Sequence, residues 1–139
     1  MEIAKIIYKG SLRTQATHLK SGNTVITDAP LDNNGKGEAF SPTDLLSTSL
    51  GSCMLTIMGI AAQKHEIPLG NIEVIIGKHM AADPRRVSQI DVTMKIEENG
   101  LSDKQKKILE NSALTCPVAK SLSAEIVQNV SFQYVKGNS

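Results

Sequence analysis

The stretch that organises this chain is "SPTDLLSTSLGSCMLTIMGIAAQKHEIP", residues 41–68. From Leu45 to Gln63 it runs nineteen residues without a charge before meeting Lys64. That length touches the lower limit for crossing a bilayer, yet the run holds a cysteine, two glycines, three serines and two threonines. Ser41 is placed to cap a helix, with Pro42 at the first position, where a missing N–H does no harm. Asp44 falls in the first turn, where the helix dipole favours an anion. The helix is expected to reach about His65 and to stop before Pro68. Leu46, Leu50, Met54, Ile57 and Ala61 form one stripe at helical spacing, while Leu45, Leu55, Met58, Ile60 and Ala62 spread apolar surface round the rest. A helix apolar nearly all round belongs at the centre of a structure.

On the N-terminal side, "AKIIYKGSLRTQATHL" and "NTVITDAP" read as strands of an antiparallel meander, with Gly10 and Gly22 suited to its turns. "LDNNGKGEAFSP" is a loop, since Asn, Gly and Pro at this density break regular structure. On the C-terminal side, "NIEVIIGKHMA" and "VSQIDVTMKIE" make a long hairpin, the second strand alternating so that Ile90, Val92, Met94 and Ile96 share a face. Ser102 and Gln105 give a capping box for a helix "DKQKKILENSAL", whose buried side is expected at Ile108, Leu109 and Leu114. A short helix should open at Pro117, and "EIVQNVSFQYV" closes the chain as a strand. The order βββαββααβ is α+β, a single domain over residues 1–139 with antiparallel sheets packed on the long central helix. One domain of this size can scarcely surround such a helix, so it is expected to meet a second copy of itself in an obligate homodimer, Gly51, Gly59, Ala61 and Ala62 allowing close approach.

Composition removes several function classes. Fifteen basic and fourteen acidic residues leave a formal charge of +1, with no global pull toward nucleic acid or anionic lipid. Aromatic content of 3%, without tryptophan, takes away the stacking platforms of single-stranded nucleic-acid binders. The N-terminus shows no signal-peptide pattern, so the expectation is a cytoplasmic protein with no membrane partner. In a reducing compartment Cys53 and Cys116 are free thiols or a working redox pair rather than a permanent staple. His18, His65 and His79 do not cluster with them in sequence, and no metal site or cofactor is expected.

Cys116 precedes a proline at a helix start, where exposed N–H groups would favour its thiolate. Cys53 lies mid-helix, where apolar burial would keep the thiol neutral unless a cation stands close by. A free cysteine on an apolar helix is ordinarily small hydrophobic filler. Ser47, Ser49, Ser52 and Thr56 around Cys53 either line a narrow cleft or bond back to their own helix.

"FSPTDLLSTSLGSCMLTIMGIAA" resembles the first cysteine helix of the OsmC/Ohr family, the osmotically inducible and organic hydroperoxide resistance proteins, and "ALTCPVAKSL" resembles its second cysteine motif. The spacing of 63 positions between the cysteines is also close to the family's, and the likeness extends to the "GSLRTQATH" strand and the long hairpin. The resemblance implies an intertwined homodimer with active sites at the subunit interface and thiol-dependent reduction of hydroperoxides. By that likeness Cys53 is the peroxidatic thiol, Cys116 the resolving thiol, and Arg13 the cation that stabilises the thiolate, with an external dithiol restoring the pair. Guanidinium suits that duty because it cannot deprotonate.

One position departs from the pattern: the glutamate that partners the arginine in the hydroperoxide branch falls on Thr43, which carries no charge to orient a guanidinium. Glu38 is the first stand-in and Asp44 the second. Two further readings are compatible with these residues. One is a non-enzymatic dimer that binds a small apolar ligand in the interfacial cleft. The other is a thiol transferase or hydrolase, which lacks a base, since His65 stands about three turns from Cys53 on the same helix.

Overall fold

The computed structural model describes residues 1–137. Two compact units divide the chain, Met1–Leu46 and a second from Ser47 onward.

The first unit is a three-stranded antiparallel sheet in the order β1 (Ala4–Gly10), β2 (Arg13–His18), β3 (Thr24–Asp28), followed by a 3-10 turn at Leu31–Asn33. The meander is as expected, and Gly10 and Gly22 both take left-handed φ values, +84° and +79°, which a side chain would resist. The β2–β3 turn is pinned by His18, whose N–H donates to the Asn23 carbonyl and whose carbonyl accepts from Gly22 N–H. That turn sets the register, and the register puts Arg13 opposite Asp28. Few side chains of this sheet are covered: Ile6 and Tyr8 on one face and Ile7 and Ile26 on the other are all exposed, Ile6 by 67%.

Helix α1 (Pro42–Lys64) begins in the first unit and runs through the start of the second. Its entry is a reciprocal cap: Asp44 N–H donates to Ser41 Oγ at 3.0 Å, and Ser41 N–H donates to Asp44 Oδ2 at 2.9 Å. The second unit adds the hairpin β4 (Ile72–Ala81) and β5 (Arg86–Glu98), helices α2 (Asp103–Leu114) and α3 (Pro117–Ser121), and β6 (Val127–Lys136). Both halves of the capping box expected at Ser102 and Gln105 are present.

Sheet order is β4-β5-β6, and here one expectation fails: β6 runs parallel to β5, from Gln89↔Val127 to Glu98↔Lys136, so this sheet is mixed rather than antiparallel. The cause is the connection. A crossover through two helices carries the chain back to the end at which β5 began, and a strand that restarts there must run in the same direction.

The core of this unit follows the alternation of β5. Ile90, Val92, Met94 and Ile96 are fully buried against Leu50, Met54 and Met58 of α1 and Leu109 of α2. Close packing of helix on sheet depends on Gly51, where an added Cβ would stand 2.7 Å from Ile76 Cδ1. The buried face of α1 is Ser47, Leu50, Gly51, Met54, Met58 and Ala62. The expected stripe through Leu46, Ile57 and Ala61 is displaced by about a third of a turn, because the glycine, not a large apolar residue, meets the sheet. Nor is the helix buried all round in the single chain: Ile60 is 56% exposed and Leu46 is exposed too. In α2, Leu109 and Ala113 are buried while Leu114 is exposed, since four residues, not five, return a helix to one face.

Candidate functional site

Two clusters contain the residues singled out above, one in each unit. In the first, β2 presents the Arg13 side chain on the same face as Asp28 of β3. Arg13 Nε donates to Asp28 Oδ1 at 2.7 Å and Nη2 to Oδ2 at 2.8 Å, a two-pronged pair. The Asp28 side chain is wholly shielded from solvent and also accepts the backbone N–H of Glu38 at 3.2 Å. The Arg13 hydrogen bond is the first reason the Asp28 carboxyl sits below the ordinary carboxylate range, opposed by burial. In return Asp28 raises Arg13 above the usual guanidinium value. Glu38 Oε2 stands 3.7 Å from Arg13 Nη2, so this carboxylate does reach the guanidinium, from an exposed position and as the lesser partner.

Asp28 was not among the residues singled out by sequence. Its signal was available in the hairpin: once "KSGN" is read as the turn, a cross-strand pair of opposite charge falls at positions 13 and 28. Asp44, the second stand-in for the absent glutamate, is engaged instead with Ser41 at the helix cap. Thr43 Oγ1 lies 3.3 Å from Ser41 Oγ at the same cap. A groove of about 640 Å³ in this unit is lined by Val25, Ile26, Glu38, Phe40 and Asp44 among others.

In the second unit the two cysteines come together. Cys53 projects from the middle of α1 and Cys116 stands at the α2–α3 junction, and the two thiols are neighbours. Both are free, and both belong to the apolar cluster around Met54 and Met94. Their exposures invert the expectation: Cys53 is half-buried, whereas Cys116 is wholly buried. α1 buries its Gly51–Met54–Met58 edge on the sheet, which leaves Cys53 on the flank.

The expected depression of Cys116 also fails. Burial pushes this thiol up, and the neighbouring Cys53 pushes it further, because a second negative charge beside the first is unfavourable. The Ala119 N–H, 3.4 Å from Cys116 Sγ, acts in the opposite direction and is outweighed. α3 is five residues long, too short for its dipole to overcome desolvation. Thr56 Oγ1 donates back to the Ser52 carbonyl, so of the two roles open to it the local one holds.

His79 Nε2 lies 2.6 Å from Asp91 Oδ2 on the outer face of the second sheet, and His18 bonds to Ser21 in the first unit. Among the described residues no group of three or more His, Cys, Asp or Glu is placed to hold a metal ion.

A family model described as OsmC-like protein matches residues 35–131. A crystal structure from Psychrobacter arcticus 273-4, named as a candidate osmotic stress induced and detoxification response protein, is 55% identical, with 96% of each chain covered and a TM-score of 0.90. The OsmC like protein from Mycoplasma pneumoniae is 15% identical, covering 97% of this chain and 98% of that one at a TM-score of 0.80. An organic hydroperoxide resistance protein from Legionella pneumophila is 16% identical, covering 96% and 98% at a TM-score of 0.71. At such identities the last two speak to the shared fold alone. No curated protein matches the chain.

Proposed function

Since the chain belongs to the OsmC-like protein family, we propose that it is a thiol-dependent peroxidase acting on organic hydroperoxides, with Cys53 as the attacking sulfur and Cys116 as the resolving one. The observation that carries this reading is the pair of neighbouring free thiols, brought together from positions 63 apart, with Cys53 the more accessible residue of the two. A filler cysteine needs no second thiol beside it. A peroxidatic one does, because its sulfenic acid must be captured before further oxidation.

The chemistry is a displacement at oxygen. Cys53 thiolate attacks the outer oxygen of the hydroperoxide, the O–O bond breaks, an alcohol departs, and Cys53 is left as the sulfenic acid. Cys116 then displaces the hydroxyl from that sulfur to close a disulfide, which an external dithiol opens by exchange at the accessible Cys53. Arg13 serves as the fixed cation for the anionic steps, and Asp28 with Glu38 holds the guanidinium in place. In the absence of a glutamate at position 43, the orienting carboxylate comes from the neighbouring strand rather than from the start of α1.

The working form is a homodimer in the cytoplasm. The uncovered faces of the first sheet and of α1 support it, since Ile6, Tyr8, Ile7, Ile26, Leu46 and Ile60 would otherwise be left in water. A sedimentation experiment that finds a folded monomer at micromolar concentration removes that part of the reading.

The test of the reaction is dithiol-driven consumption of an organic hydroperoxide by the wild type and by Cys53→Ser. The wild type should turn over and form a Cys53–Cys116 disulfide visible by mass spectrometry, and the variant should fall to the uncatalysed rate. Equal rates, with both thiols unchanged, would favour a dimer that binds a small apolar ligand, with the cysteines as lining.

A further inference from the structure

We infer that Gln128 of β6 is a positioning residue for the resolving step, holding α3 so that a backbone amide of that turn stays on the Cys116 sulfur. The inference rests on the peroxidase reading and adds to it the residue that readies Cys116 for attack.

The place of Gln128 in its strand is the first sign. The side of β6 that faces the core runs Gln128, Val130, Phe132, Tyr134, and the last three pack on the buried cluster. A glutamine at the head of such a row leaves water with part of its amide and needs a partner inside. It finds one in α3, where Gln128 Nε2 donates to the Ala119 carbonyl at 3.0 Å. That carbonyl belongs to the last turn of the helix, where intrahelical N–H groups run out. Ala119 is also the residue whose N–H reaches Cys116 Sγ, at 3.4 Å. One residue thus receives the glutamine through its carbonyl and serves the sulfur through its amide.

α3 needs such a tie. At five residues it is too short to persist on helical hydrogen bonds alone, and none of its residues is buried. Val118 and Ala119 pack on the apolar cluster, but apolar contact is non-directional and does not aim an N–H. A hydrogen bond from the neighbouring strand is directional and does.

What depends on that aim is the anion of Cys116. In resolution its thiolate attacks the sulfur of the Cys53 sulfenic acid, the S–S bond forms, the S–O bond breaks and hydroxide leaves. That hydroxide and the proton Cys116 gave up make water, so no further oxidant or reductant enters the step. Burial opposes the thiolate, while the backbone amides of Ala119 and Val118 act the other way. Of the titratable groups on the surrounding elements, Cys53 of α1 bears on this sulfur, Glu110 of α2 accepts from Tyr134 of β6, and Lys120 of α3 is exposed. Loosening α3 therefore removes the favourable contact and keeps the unfavourable ones.

The test follows the two chemical steps separately. Gln128→Met and Gln128→Leu, which remove the donor but keep an apolar side chain of similar bulk, are compared with the wild type after one equivalent of tert-butyl hydroperoxide. Two rates are read by quenched-flow mass spectrometry between about pH 6 and pH 10: appearance of the Cys53 sulfenic acid, trapped with dimedone, and closure of the Cys53–Cys116 disulfide. In both variants the sulfenic acid should form within about threefold of the wild-type rate, which also shows that they are folded with Cys53 reactive. Closure should be about tenfold slower near neutrality, the size of one hydrogen bond to a charged group. The midpoint of its pH profile should rise by about one unit, since a less supported thiolate forms at higher pH. Unchanged closure would leave Gln128 no part in resolution. Equal slowing of both steps, or slowing of closure by the same factor at every pH, would make its role structural; each of these results overturns the inference and leaves the peroxidase reading in place. A wild-type Cys53 that stays unoxidised, or is oxidised without closing the disulfide, would take away that reading, and this inference with it.

Discussion

The two units of this chain are held by different forces. The sheet beyond Ser47 has a core of its own, in which Ile90, Val92, Met94 and Ile96 meet Leu50, Met54, Met58 and Leu109 with no solvent between them. The sheet before Leu46 has almost none: Thr27 and Asp28 are its buried strand residues, and the contacts that tie β2 to β3 beyond the backbone ladder are polar, the Arg13–Asp28 pair and a hydroxyl contact between Thr14 and Thr27. Apolar burial is non-directional and scales with area, so it can hold a framework. Charged hydrogen bonds add little net stability but fix orientation, which a guanidinium needs if it is to serve as a positioned cation.

The largest way to test that contrast is to hollow the second unit. Met54→Ala should cost about 2–5 kcal/mol in chemical denaturation, because a fully buried side chain leaves a cavity that its neighbours only partly fill. Next in size is Gly51→Ala, at about 1–3 kcal/mol, since the new Cβ would meet Ile76 Cδ1 at 2.7 Å and Val74 Cγ1 at 3.3 Å. A cost below a few tenths of a kcal/mol would mean that helix and sheet can separate freely.

In the first unit, Asp28→Asn should act locally. The substitution keeps the size but removes the charge that the guanidinium grips, and backbone amides of β2 and β3 should exchange hydrogen roughly tenfold faster while those of β5 keep their protection. Uniform loss of protection across both sheets would show that the polar pair supports the whole chain. The smallest effect belongs to Asp91, whose carboxyl is pulled down to about 2 by hydrogen bonds from Gln89, His79 and Asn129. A group depressed on folding contributes stability above its unfolded value, about 4, and loses it as pH falls through the folded value, because the unfolded chain takes up the proton first. Asp91→Asn should therefore flatten the stability profile between about pH 4 and pH 2 and leave it little changed in slope near neutrality.

Much of this was legible in the residues. The strands and helices, the caps at Ser41 and Ser102 and the inward face of β5 follow from local rules: periodicity, capping chemistry and turn residues act over a few positions. What local rules miss lies between distant positions. The face of α1 that is buried depends on Gly51 meeting Val74 and Ile76, about 25 positions away in sequence. The direction of β6 depends on where two helices deliver the chain, and Asp28 acquires its role only through strand register.

The thiols divide the same way. That Cys53 sits mid-helix and Cys116 before a proline is written in the order of residues, and so is the likeness of both motifs to one family. Which of them is shielded, and which way Cys116 is pushed, was settled by packing, against the direction its position before a proline suggested. The physical reason is that desolvation depends on every atom that surrounds a sulfur, whereas a position on a helix reports only the neighbours along one chain.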